Sequence, residues 1–401
     1  MQNNIYITNF WYARNYGANL TAYALFKLVS NFSGEVYLLD NLDKQDKLLI
    51  ETCYMKDFIQ KYFKIKKFDN EDDQAILITG SDQVFSPKCE PNKNDTKYLN
   101  FGNMTNKRIS VSASFGVDKE TFLKQNSQKE IEKLNSALKT FDFVSVREKS
   151  GIEICKDIFN TDAEWIIDPV FMLEKEKWEE LINKASENIK QQLKDNKIVS
   201  YIFLSNETHQ KAKQHLAEKY KTGITNIRFN DNNSPEDWLY AIKNCELFIT
   251  NSFHGVCFAI IFNKPFICLS KEMGKSVRFE SLFEMLEIEN KSTTAENIEK
   301  DDCIFRINYE NTNQLIENER KKGLDFLKKA IETPVEVTEK KCLGKISLLE
   351  NQIKELEEQN NLPYQLKKYI WAKWIFIYNK FLPKPIKSII SFFWKIIKRN
   401  R

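Results

Sequence analysis

Short apolar runs recur along the first 170 positions: IYIT at 5–8, EVYLLD at 35–40, AILIT at 75–79, RISVSAS at 108–114, FVSVRE at 143–148 and EWIID at 164–168. Helical stretches lie between them, beginning with LTAYALFKLV at 20–29. This alternation predicts an α/β sheet. Runs apolar on both faces, such as AILIT, predict central, parallel strands with helices on both sides. A charged helical bridge from Glu174 to Lys194 interrupts the pattern, which then restarts as KIVSYIFL at 197–204, TNIRF at 225–229, ELFIT at 246–250 and PFICLS at 265–270. Helices are expected near Glu207 to Tyr220, from Pro235 to Asn244 and, briefly, after His254.

The expectation is an α/β chain with two Rossmann-like domains, at 1–173 and 174–335, then a helical linker at 336–362 and a tail at 363–401. In the linker, Ile346, Leu349, Ile353 and Leu356 recur at helical spacing for only about two heptads, which favours a helix packed back on the body over a coiled coil. Two doubly wound domains leave a cleft between them, with ligands beyond the carboxyl ends of the strands. The turns that follow strands therefore carry the candidate chemistry.

Composition narrows the class. A chain of 401 residues, 42% hydrophobic, can bury a large core. Its eight cysteines are scattered and never form CxxC, which points to a reducing compartment and to neither a disulfide framework nor a zinc site. No basic leader precedes an apolar run, and no window reaches eighteen apolar residues, so the expected location is cytoplasmic. The net charge of +4 is uneven: from Gln359 onward there are ten Lys or Arg and no acid, leaving 50 basic against 56 acidic residues elsewhere. A mildly acidic body is a poor nucleic-acid platform. In the tail, Ile386, Ile389, Ile390, Phe393 and Ile397 share one face and Lys387, Lys395, Lys398 and Arg399 the other, with Trp371, Trp374 and Trp394 nearby. That pattern suits helices lying peripherally on an anionic membrane. The alternatives are packing on the body or on a second subunit of a homo-oligomer.

Four polar turns follow predicted strands. In NFWYARNYGANL, Asn15, Gly17 and Asn19 open a helix whose backbone N–H groups can hold an anion or a sugar hydroxyl, or simply form a capped Gly turn. In TGSDQVF, Asp82 is either a base or a helix cap. Arg147 closes the apolar FVSVRE strand and needs an anionic partner, whether a substrate, Glu148 or another acid. In FITNSFHGVCF, His254 stands at a helix N-terminus between Ser252 and Gly255, while the other two histidines, His209 and His215, lie in a polar helix.

Together the strings NYGANLTAYAL (15–25), GSDQVF (80–85), SASFG (112–116), VSVRE (144–148), IIDPV (166–170) and TNSFHGVCFAIIFNKPF (250–266) resemble the polysaccharide pyruvyltransferase family over roughly residues 10–290. Phe85 stands where relatives often carry Trp. The resemblance implies a two-domain fold similar to GT-B glycosyltransferases, phosphoenolpyruvate as donor, and a pyruvate ketal on a sugar, often lipid-linked, as product. Under it, His254 is expected as general acid and Asp82 as base for the attacking hydroxyl. Arg147 is expected as a clamp on the donor, with Asn251, Ser252 and Gly255 completing the anion site. Arg278 is either a second clamp or a surface ion pair. Asn15, Gly17, Asn19 and Ser114 fall on the acceptor side. No cofactor and no metal are expected. A nucleotide-sugar glycosyltransferase or a non-catalytic scaffold would share much of this pattern.

Overall fold

The computed structural model describes residues 3–358 apart from positions 33, 52–54, 229–232, 271–275 and 300–302. The expected tail at 363–401 lies outside the described residues, as does the end of the linker.

The first sheet comprises β1 (Ile5–Thr8), β2 (Val36–Leu39), β3 (Ile65–Lys66), β4 (Ile76–Asp82), β5 (Lys107–Ala113), β6 (Ser145–Val146) and β7 (Glu164–Trp165). They lie in the order β3-β2-β1-β4-β5-β6-β7, every neighbouring pair parallel. The second comprises β8 (Ile198–Tyr201), β9 (Ile224–Asn226), β10 (Leu247–Thr250) and β11 (Phe266–Cys268), ordered β11-β10-β8-β9 and again parallel. All seven residues of β5 and the first six of β4 are buried, as expected for central strands whose apolar side chains face helices on both sides. The strand order reverses between β1 and β4 in one sheet and between β8 and β10 in the other. Each reversal opens a crevice beyond the carboxyl ends of its strands, where doubly wound sheets bind ligands.

The helix Tyr16–Val29 joins the two units. Thirteen of its 14 residues are buried, and it touches both Pro235–Asn244 and Phe253–Ile261 of the second unit. Tyr16 stacks on Trp238, with ring centroids 5.6 Å apart, and its hydroxyl donates to the Asn233 carbonyl at 2.9 Å. Trp178 meets Phe258 edge-on at 4.9 Å. One apolar core thus runs from the first sheet into the second unit.

The chain then returns to its first half. Helix Tyr309–Glu332 sets Phe326 edge-on against Phe143, and Arg320 Nε donates to the Met172 carbonyl at 3.0 Å. Helix Glu339–Glu358 packs on Gln128–Leu138, where Lys341 pairs with Asp142 at 2.9 Å. Ile346 and Leu349 of its apolar stripe are buried there. No described helix is long and apolar enough to cross a membrane.

Candidate active site

The two crevices face each other across a cavity of about 280 Å³, at the small end of the range for ligand pockets. Its first-unit wall comes from the loops after β1 and β4: Phe10, Ala13, Asn15, Asp82, Gln83 and Glu90. Its second-unit wall comes from the loops after β8 and β10, with Phe203, Asn251, Ser252, Phe253 and His254, joined by Arg278.

Local capping sets these loops. Asn15 is the N-cap of Tyr16–Val29 and accepts from the Gly17 and Ala18 N–H groups, so its side chain already occupies part of the proposed anion cradle. Ser252 caps Phe253–Ile261 in the same way, its Oγ accepting from Gly255 N–H at 3.2 Å. Asn251 bridges both main-chain groups of Phe203, at 2.8 and 3.0 Å, and so ties the loop after β10 to the loop after β8. Two glycines let elements approach closely. A Cβ at Gly255 would lie 2.6 Å from Thr250 Oγ1, and one at Gly17 would lie 2.5 Å from His254 Cβ and 2.6 Å from its Nδ1. Gly17 is therefore the seat of the His254 ring.

Behind the cavity lies a buried ionic cluster centred on Asp168, a residue whose role the sequence did not reveal. Its Oδ2 meets Arg147 Nη1 at 3.0 Å, accepts from Ser81 Oγ at 2.7 Å, and lies 3.5 Å from His254 Nε2. Its Oδ1 accepts from Thr21 Oγ1 and from Val170 N–H, the latter as a helix cap. Burial alone would raise the Asp168 pKa, but His254 and then Arg147 outweigh it and hold the carboxyl well below the usual range. Arg147 also meets Glu148 at 3.3 Å and Asp82 at 3.8 Å, and its guanidinium sits 4.1 Å from the Phe253 ring centre. Burial opposes its charge, yet Glu148, Asp168 and Asp82 together raise its pKa further. Ser114 donates to Glu148 and so fixes that carboxylate against Arg147.

The structure thus brings Asp82, Asn15, Asn251, Ser252, His254 and Arg278 to one cavity. It sets Arg147, Ser114, Gly17 and Gly255 behind the wall, and buries Asn19 completely, with its Nδ2 bonded to the Trp11 carbonyl. Asp82 itself has φ 80, a left-handed conformation costly for a non-glycine residue and typical of functional turns. Arg278, second residue of helix Val277–Met285, forms no ion pair among the described residues. Its pKa is lowered, first by burial and then by the Arg147 charge. No group of three His, Cys, Asp or Glu side chains among the described residues is placed to hold a metal, and the seven described cysteines are free.

A profile of the polysaccharide pyruvyl transferase family matches residues 15–271, well over half the chain. This chain belongs to that family. The match confirms the resemblance carried by the six motifs, and it spans Asn15, Asp82, Arg147, Asp168 and His254 while leaving Arg278 beyond its end. The chain is accordingly a polysaccharide pyruvyl transferase family member with two parallel-sheet units. It is also similar to UDP-GlcNAc 2-epimerase from Neisseria meningitidis bound to UDP-GlcNAc, at 12% identity over 88% of this chain and 99% of that one, with a TM-score of 0.43. Similar in turn are the UDP-N-acetylglucosamine 2-epimerase from Rickettsia bellii (10%, 82% and 99%, 0.44) and Anabaena Alr3699/HepE in complex with UDP and glucose (9%, 90% and 100%, 0.40). No functionally curated protein matches the sequence.

Proposed function

We propose that this cavity transfers the three-carbon unit of phosphoenolpyruvate onto two hydroxyls of a polysaccharide sugar, giving a pyruvate ketal and phosphate. One observation carries the reading: the cavity is polarised, with His254 and Arg278, which has no ion pair among the described residues, on one wall and carboxylates on the other. A small trianion belongs on the cationic wall, held by Arg278 in a fork that suits carboxylate or phosphate. Arg147, enclosed by three acids, serves to position Asp168 and Asp82 and does not grip the donor directly.

His254, seated on Gly17 and oriented by Asp168, is the proton donor of this reading. An imidazolium there, with Arg147 and Arg278, brings three cations level with Asp82, Glu148 and Asp168. The imidazolium protonates the methylene carbon of the donor as a first hydroxyl oxygen bonds to the neighbouring carbon, its proton passing to Asp82. The bond from that carbon to the phosphate oxygen breaks, the electron pair leaving with phosphate, and a second hydroxyl closes the ketal. Of the two hydroxyl protons, one ends in the new methyl group through His254 and the other on phosphate. We further propose that the acceptor is lipid-linked and met at the cytoplasmic membrane surface, a reading supported by the ten cations and interleaved tryptophans after Gln359.

The test is calorimetry of the full chain against phosphoenolpyruvate and a panel of uridine-diphosphate sugars, with phosphate release as the turnover assay. Saturable donor binding, with turnover abolished in His254→Ala at an unchanged melting temperature, is the expected result. Binding confined to a nucleotide sugar would replace this reading with glycosyl transfer.

A further inference from the structure

Ketal formation removes a proton from each of two hydroxyls, yet Asp82 alone has so far been given that task. The same wall carries a second carboxylate. Glu90 lines the cavity with Phe10, Ala13 and Asp82, and its backbone, like that of Asp82, is left-handed, with φ 50. Its Oε2 accepts from the Tyr12 hydroxyl at 2.5 Å. Lys93 stands 3.8 Å from that oxygen and 3.9 Å from the Tyr12 ring centre, while itself paired with Asp46 at 2.6 Å. Tyr12 is buried, and burial followed by Glu90 itself raises its pKa, so it stays protonated and donates. These contacts fix one oxygen of Glu90 and leave Oε1 with no donor among the described residues. Across the cavity, His254 turns its Nε2 away to Asp168 at 3.5 Å, so the carboxylates that face the sugar are Asp82 and Glu90.

We infer that Glu90, held by Tyr12, receives the second acceptor hydroxyl, and that Asp82 and Glu90 together select an uncharged sugar diol. The inference rests on the pyruvyl-transfer reading and names its acceptor class. A hydroxyl donating to a carboxylate makes a charge-assisted hydrogen bond, whereas a uronate or phosphosugar would meet two like charges on this wall. Phe10 and Ala13 supply the apolar patch for the sugar's carbon face. In the first addition, oxygen bonds to the central carbon of the donor and its proton passes to Asp82. In the second, the bond from that carbon to the phosphate oxygen breaks, its electron pair leaving with phosphate, the other oxygen bonds to the carbon and its proton passes to Glu90. One carboxylate proton then restores His254, and the other departs on phosphate.

The experiment uses the full chain as wild type, Glu90→Gln and Tyr12→Phe. Each is offered phosphoenolpyruvate with p-nitrophenyl glycosides of galactose, mannose, N-acetylglucosamine and glucuronic acid. Donor binding is followed by calorimetry, transfer by phosphate release and folding by melting temperature. Glu90→Gln is expected to bind donor within about twofold of wild type while kcat/KM for the uncharged glycosides falls about a hundredfold. Its residual transfer to the glucuronide should not fall in parallel, a change of selectivity that a merely structural role would not produce. Tyr12→Phe should raise the acceptor KM and leave donor binding alone. The inference is overturned if Glu90→Gln keeps wild-type kcat/KM for uncharged glycosides. It is equally overturned if wild type binds donor yet prefers the glucuronide or uses none of the uncharged acceptors. Wild type that fails to bind phosphoenolpyruvate removes the underlying reading, a failure visible before any variant is measured.

Discussion

Replacing Gly17 by Ala tests whether the helix that joins the two units also holds the acid in place. The added methyl would lie 2.5 Å from His254 Cβ, 2.6 Å from Nδ1 and 2.7 Å from Cγ, where carbon atoms ordinarily keep about 3.5–4.0 Å. Something must therefore yield by about 1 Å. The helix is poorly placed to do so, since it is buried on nearly every side. The ring is the freer party, although Phe253 lies edge-on to it at 5.4 Å and Asp168 faces its Nε2. Overpacking costs about 1–3 kcal/mol, and the better helix propensity of Ala returns about 1 kcal/mol. The net loss of about 0–2 kcal/mol should lower Tm by a few degrees at most. Catalysis should suffer far more, because a 1 Å displacement of a reacting group costs about a hundredfold in rate. Thermal unfolding and phosphate release from phosphoenolpyruvate, measured on one preparation, separate the two effects. A Gly17→Ala protein with near-normal melting and turnover within a few-fold of wild type would refute the argument that His254 works from this seat.

Asp168→Asn leaves Arg147 short of its closest counter-charge and should destabilise by about 3–5 kcal/mol at neutral pH. Since the native carboxyl is held below its ordinary range, that stabilisation is complete above about pH 4 and lost as pH falls further, so denaturant titrations should show the gap from wild type closing in acid. A gap constant from neutrality to about pH 3 contradicts the cluster's electrostatics. Arg278→Gln should weaken phosphoenolpyruvate binding at least about tenfold by calorimetry with little change in Tm, whereas Arg147→Lys should lower Tm more than it weakens the donor; the reverse ranking would return the clamp to Arg147. Removing residues 363–401 should abolish co-flotation with anionic liposomes while leaving turnover of a water-soluble acceptor intact, and equal flotation of both forms rules out the membrane role.

The sheets were legible because their central strands are apolar on both faces, a signal that survives without any alignment. β3 was not, since Ile65–Lys66 is two exposed residues long and offers no period to read. The turns that carry the cavity were found for a related reason: polar residues directly after apolar strands are conspicuous, and Asp82, Asn251, Ser252 and His254 all stand there. Asp168 was hidden in plain view. It stands inside IIDPV, directly before Pro169, and its cap on Val170 is local, whereas its contacts to Arg147, Ser81 and His254 span 21 to 87 positions that no local period encodes. Glu90 stands in no motif, and its approach to Tyr12 bridges 78 positions, a pairing that no local period encodes. Asn19 failed in the opposite way: its polar character suggested a ligand, but the helix buries it to satisfy the Trp11 carbonyl.

The cluster around Asp168 also explains why the two units share a core instead of meeting across an open hinge. Asp168, Ser81 and Thr21 belong to the first unit and His254 to the second, so Asp168 can orient the His254 ring only while the units are docked. Buried charges tolerate little play, because separating one from its partners in a low-dielectric interior leaves it uncompensated. The stacked Tyr16 and Trp238 and the tilted Tyr23 and Trp178, 5.8 Å apart, supply the apolar contact that holds the docking. The conformational demand on catalysis therefore falls on the rim loops and not on the sheets. The helix Val277–Met285, which brings Arg278 to the cavity, begins past the end of the family match. On the proposed reading, the acid His254 and its counter-ion Asp168 both lie within the family match, while Arg278, the cation proposed to hold the donor, lies past its end.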